Sequence, residues 1–175
     1  MILVNQIIGN HADTVLGDRA IDLLEIEWFE STKRIQRKTT AHGQEIAIKF
    51  MREGQRLRQD DILYMDDAKA VLVHIKPCDA IVLSPANMLE MGTVCYEIGN
   101  KHLPLFIEDD QVMMPFEHPM FRWLEASGYR PEKQFRQLLN LLKSNVEPHG
   151  HGGSENSLFN KIINLASQVS GSNGR

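Results

Sequence analysis

Two hydrophobic periods divide this chain, and the change between them at Pro77 admits few folds. From Leu24 the run Leu24, Ile26, Trp28 alternates with Glu25, Glu27 and Phe29. Glu45-Ile46-Ala47-Ile48-Lys49-Phe50 repeats that period of two after a His42-Gly43 turn signal. A third set, Ile62 and Tyr64, then Asp66-Asp67, then Val71, Val73 and Ile75, predicts a hairpin. Alternation of this kind marks half-buried strands. Residues 1–75 therefore predict an N-terminal all-β domain laid out as a meander with short turns.

Beyond Pro77 the pattern changes. Ala80-Ile81-Val82-Leu83 predicts a short strand, and Ser84-Pro85 predicts a helix start, with an N-cap hydroxyl followed by proline at the first helical position. Met88, Met91, Cys95 and Ile98 recur at helical spacing and predict a core-facing stripe rather than a copper site. Gly99 is placed to end the helix in a left-handed conformation. Leu103 to Glu108 and Gln111 to Met114 predict two strands joined at Asp109-Asp110. Pro119 opens a second helix through Met120, Phe121 and Leu124, and a last strand follows around Gln134 to Leu139. Strand, helix, strand, strand, helix, strand is the order of a ferredoxin-like (βαββαβ) domain, here residues 76–144. The fold class is α+β with two domains and a flexible tail, residues 145–175. Within that tail Leu158, Phe159, Ile162, Ile163, Ala166 and Val169 recur at helical spacing, a short amphipathic segment that needs a surface to pack against.

The net charge of −4 gives no general attraction for nucleic-acid phosphate or anionic lipid, which argues against both partners. Met1-Ile2-Leu3-Val4 has no basic flank and is soon broken by Asn5 and Gln6, so neither a signal peptide nor a spanning helix is predicted, and a cytoplasmic location is expected. Cys78 and Cys95 form no C-x-x-C unit and read as small core hydrophobes.

No phosphate loop, dinucleotide fingerprint or nucleophile elbow occurs, and the histidines at 11, 42, 74, 102 and 118 form no H-E-x-x-H zinc motif. The chain is therefore read as a non-enzyme. What remains is metal-binding potential without a catalytic cage. His102 closes Gly99-Asn100-Lys101-His102 where helix gives way to strand, and His149-Gly150-His151 sits on a glycine-flanked segment that can close on an ion or release it without disturbing a core. His118, before Pro119, reads as a surface residue at a helix start and is kept as a further metal candidate. Glu108-Asp109-Asp110 reads as a solvated turn.

These residues resemble the UreE family, urease accessory proteins that act as nickel metallochaperones, over about residues 1 to 150. Leu24-Glu25-Ile26-Glu27-Trp28, Lys33-Arg34-Ile35, Ile46-Ala47-Ile48-Lys49 and Asp61-Ile62-Leu63-Tyr64 are similar to the family's N-terminal domain. Glu90-Met91-Gly92 through Glu97-Ile98-Gly99-Asn100-Lys101-His102 is similar to its metal-binding domain.

The resemblance implies a homodimer, and leaves open whether two dimers associate around one ion. In it His102 meets its symmetry mate to hold nickel(II), His149 and His151 complete the site, and zinc or copper compete. It also implies transfer to the urease-associated GTPase (UreG) and the urease apoprotein–accessory complex during urease maturation. The chain departs from the family by lacking a long polyhistidine tail and by extending past His151. The competing readings are a non-enzymatic peptide-binding or assembly scaffold with a structural metal, and a metal-dependent hydrolase.

Overall fold

A computed structural model describes residues 1–52 and 54–142. The chain divides into two compact units at Pro77/Cys78.

Unit 1 is built from two sheets. β1 (Ile2–Val4), β5 (Glu45–Lys49) and β4 (Ile35–Thr39) form a three-stranded sheet in that order. β2 (Gly9–Asn10), β6 (Asp61–Met65), β7 (Lys69–Ile75) and β3 (Ala20–Ile26) form a four-stranded sheet. The predicted hairpin of β6 with β7 is present, and the turn expected at His42-Gly43, with Gly43 at φ +84°, joins β5 to β4, a strand that the alternation did not mark. The meander is not: β1 runs parallel to β5, and β3 runs parallel to β7 from Ala20↔Lys69 to Ile26↔Ile75. Parallel neighbours need a long crossover, and the pattern within either strand carries no trace of which distant strand it joins.

Trp28 and Phe29 do not extend β3 as their alternation suggests. They begin a 3-10 helix, Trp28–Thr32, after a Glu27–Glu30 capping box in which the Glu27 N–H donates to Glu30 Oε2 at 3.0 Å. Both rings are buried and meet edge-to-face at 5.4 Å. Two adjacent side chains both buried on one wall suit a tight helical turn better than a pleated strand with one solvated face.

Unit 2 has the ferredoxin-like order: β8 (Cys78–Leu83), α1 (Met88–Asn100), β9 (Phe106–Glu108), β10 (Gln111–Pro115), α2 (His118–Ala126) and β11 (Glu132–Arg136). Its antiparallel sheet runs β11-β8-β10-β9. Ile81, Leu83, Val112 and Met114 of the sheet pack with Val94 and Ile98 of α1 and Met120 and Leu124 of α2 in one buried cluster. Asp109 and Asp110, at φ +48° and +60°, make the β9–β10 turn where it was expected.

Two helix boundaries differ from expectation. α1 starts at Met88 rather than after Ser84: Asn87 is its N-cap, accepting the Glu90 N–H at 3.0 Å, while Glu90 accepts the Ala86 N–H at 2.7 Å. The Ser84 hydroxyl is engaged elsewhere, accepting the Gln111 side-chain amide at 2.9 Å, and the Asn87 and Glu90 side chains cap the helix in its place. At its other end α1 runs through Gly99, and the left-handed residue is His102 at φ +55°.

Among the described residues no helix is long and apolar enough to cross a membrane. The amphipathic run from Leu158 to Val169 lies outside the described residues.

Candidate metal centre

His102 is placed by the way α1 ends. Lys101 is the C-cap, and the His102 N–H donates to the Gly99 carbonyl at 2.9 Å, satisfying one of the carbonyls the last turn leaves open. The chain then reverses hand at His102 and enters buried Pro104, Leu105 and Phe106. Histidine is among the few non-glycine residues that adopt this conformation with any frequency. The consequence is an imidazole held outside the core, exposed, with no side-chain hydrogen bond among the described residues. Next to it Lys101 Nζ lies 4.1 Å from the Trp123 ring centroid, a cation–π contact that ties the end of α1 to α2. Tyr129 donates to Glu97 Oε2 at 3.1 Å one turn earlier.

His118 is exposed at the first turn of α2, with Glu117 as N-cap and Pro119 behind it. Its ring meets Phe116 edge-on at 5.0 Å. His149 and His151 lie outside the described residues. Among the described residues no three His, Cys, Asp or Glu side chains converge in a way that could hold an ion. The structure thus brings His102 to the surface of unit 2 without other ligands from its own described chain.

Cys78 and Cys95 form no disulfide among the described residues and are half-buried rather than fully in the core. Burial pushes the Cys95 thiol up, which keeps it protonated and a poor metal ligand; its Sγ lies 3.9 Å from Met91 Sδ. A concavity of about 320 Å³ lies in unit 1, not at His102, beside buried Asp22 and the exposed His42 ring that donates to it at 2.9 Å.

The pattern reading missed the solvent side of α1. Val94 and Ile98 are buried, Met91 and Cys95 pack beside them, but Met88 is 84% exposed and leaves the predicted stripe. Leu89 and Tyr96, two turns apart, are 81% and 71% exposed. Between and beyond them lie Gly92 and Gly99, where an added Cβ would meet nothing within 4 Å. The signal was present in the sequence as a second apolar period, Leu89 to Tyr96, offset from the methionine stripe.

Comparison with known proteins bears on what this surface is for. A family model described as UreE urease accessory protein, N-terminal domain, matches residues 4–76, and its C-terminal counterpart matches residues 77–156. The chain belongs to the UreE family. A urease accessory protein UreE from Flavobacterium johnsoniae is 58% identical over 165 residues, spanning 94% of this chain and 99% of the relative. One from Haemophilus influenzae is 41% identical over 153 residues, 85% and 82% of the two chains. One from Acetivibrio thermocellus is 37% identical over 153 residues, 87% and 99%. The UreE relationship therefore covers both units.

Proposed function

We propose that this UreE chain is a non-enzymatic nickel carrier for urease maturation, binding Ni(II) between two copies of itself and passing it to UreG and the urease apoprotein–accessory complex. The observation that carries this reading is the course of the chain beyond β11. The Ile107 N–H donates to the Asn140 carbonyl at 3.3 Å, Phe106 and Leu141 form an antiparallel bridge, and the Leu142 N–H donates to the Leu105 carbonyl at 2.7 Å. In an antiparallel pair the numbers on one side rise as those on the other fall, so at Leu142 the chain heads toward Leu103 and His102. Seven more residues reach His149, a span of up to roughly 23 Å at ~3.3 Å per residue. That length of chain is what would let His149 and His151 join His102 at one ion.

The second support is the exposed face of α1. Glycine inside a helix costs about 1 kcal/mol relative to alanine, and nothing among the described residues crowds Gly92 or Gly99. Close approach of a second α1 accounts for both glycines and for the uncovered Leu89 and Tyr96. A two-fold axis near this face duplicates His102 and supplies two imidazoles to one ion, which suits nickel's preference for nitrogen donors. Ligands on a glycine-flanked tail can leave singly, giving a stepwise path for handing the ion on. Zinc and copper accept the same donors and compete for them.

Calorimetric nickel titration with parallel light scattering tests the reading. Wild type should saturate at one ion per dimer or per pair of dimers, and a dimeric His102→Ala protein should lose the tight site. Full affinity in that variant would overturn the assignment. Replacing His149 and His151 by alanine should weaken binding and speed release while leaving the His102 site.

A further inference from the structure

The charge nearest His102 along the chain is Lys101, and its ammonium does not take the partner that helix spacing offers. Glu97 precedes Lys101 by four residues, the order that favours an ion pair along a helix. The Glu97 carboxylate instead accepts the Tyr129 hydroxyl at 3.1 Å, and Lys101 Nζ lies 4.1 Å from the centre of the Trp123 ring. Lys101, Trp123 and Tyr129 are half-buried, while His102 is exposed. Trp123 packs against the cluster that joins both helices to the sheet, so its ring has a fixed place. Among the described residues it makes no ring contact with His102.

That placement matters for a divalent cation at His102. Lysine carries a compact charge on a flexible four-carbon stem. Left in solvent, such a charge on the neighbouring residue would sweep the space around the imidazole. A single and a double positive charge about 8 Å apart in water repel enough to weaken binding about fivefold at low salt. A two-fold axis would bring a second Lys101 to the same ion. The carbonyl end of α1, with about half a negative charge, acts in the opposite sense and favours a cation at this end of the helix.

We propose that Trp123 is a positioning residue for charge: it parks the Lys101 ammonium on its ring and so keeps it from repelling a divalent ion at His102. The proposal rests on the nickel reading and adds to it a residue that is not itself a ligand. Tryptophan is the aromatic side chain that holds a cation best. Parked there, Lys101 remains the C-cap of α1 and its charge still meets the carbonyl end of the helix, which a neutral residue would not supply.

The test uses the full chain and Ni²⁺ alone, titrated by calorimetry at low salt. Trp123→Leu should bind about three- to tenfold more weakly, Lys101→Met at least as tightly as wild type, and the double variant Lys101→Met/Trp123→Leu should return to wild-type affinity. A loss caused by packing would persist in the double variant. Raising a non-coordinating salt to about 1 M, where the screening length is about 3 Å, should close the gap between Trp123→Leu and wild type. In the metal-free wild type the Lys101 ε-methylene protons should be shifted upfield by the indole ring, and that shift should vanish in Trp123→Leu. If Trp123→Leu perturbs the fold, Trp123→Phe, which fills the site and holds the cation less well, carries the same comparisons. The proposal is overturned by wild-type affinity in Trp123→Leu, by a double variant as weak as Trp123→Leu, by weaker binding in Lys101→Met, or by no upfield shift in wild type. Each of those results leaves the nickel reading standing as long as His102→Ala loses the tight site, whereas full affinity in His102→Ala removes that reading and this proposal together.

Discussion

His102 is held at φ +55°, a conformation that disfavours any residue with a Cβ by roughly 1–2 kcal/mol. A glycine would fit the turn better, so the imidazole sits there at a cost to folding. This separates backbone from ligand in a single experiment. His102→Gly and His102→Ala should both lose tight nickel binding, yet the glycine variant should be more stable than the alanine variant by about 1 kcal/mol in urea unfolding. Equal stabilities would mean that the turn relaxes when the imidazole is removed. Asp22 offers a second test at this scale. Burial alone would raise its carboxyl, but the Thr40 hydroxyl at 2.5 Å, the His42 ring at 2.9 Å and the His42 amide at 3.1 Å outweigh that and hold it below the usual carboxylate range. A carboxyl depressed in the folded state stabilises it above the unfolded pKa, about 3.9, and that contribution is lost as pH falls through the lower folded value. Asp22→Asn should therefore be less stable than wild type by about 1–2 kcal/mol at pH 7, with the gap closing below about pH 4. A gap independent of pH would show that the loss comes from the shape of the amide at this site and not from the charge of the carboxylate.

At the scale of the element, α1 shows what a single sequence does and does not reveal. Its existence and its buried side follow from the spacing of Met91, Cys95 and Ile98, because only a helix puts those three together. Its start does not, since Ser84-Pro85 and Asn87-x-x-Glu90 are both legitimate caps and the choice depends on where β8 ends. Its end does not either: glycine is the usual left-handed residue and points to Gly99, whereas the chain turns at His102. Trp28 and Phe29 mislead for a similar reason: apolar residues next to a strand extend its pattern on paper, and the Glu27–Glu30 box that stops it is a local hydrogen bond. The same helix yields a signed prediction. Gly92→Ala should make the isolated helix more favourable by about 0.5–1 kcal/mol, and its Cβ meets nothing within 4 Å among the described residues. If a second α1 lies close against it, the variant should nonetheless dimerise more weakly, measured by sedentation equilibrium through ultracentrifugation. A variant that is both more stable and as tightly dimeric would place the interface elsewhere.

Over the whole molecule, local patterns gave the order of elements in unit 2 because its strands pair with near neighbours around two helices. Unit 1 was less legible, since β1–β5 and β3–β7 join strands separated by some forty to fifty residues, and no local period records such a partner. The candidate site falls between these cases. His102 could be named from its place between helix and strand, but the exposed apolar pair Leu89 and Tyr96 on the same helix was obscured by the methionine stripe beside it. Assembly is where the nickel reading is most exposed to test. If one ion is shared across a two-fold axis, its affinity depends on residues that never touch it. Tyr96→Glu, on the exposed side of α1, places like charges against each other in a symmetric interface and removes no ligand. It should leave the fold intact by circular dichroism, shift the molar mass toward monomer, and lower nickel affinity nearly as far as His102→Ala. Raising protein concentration should then restore both dimer and binding together, because the two equilibria are linked. A monomeric Tyr96→Glu protein that kept wild-type nickel affinity would show that each chain holds the ion by itself, with His102 and the tail histidines sufficient and the second copy unnecessary.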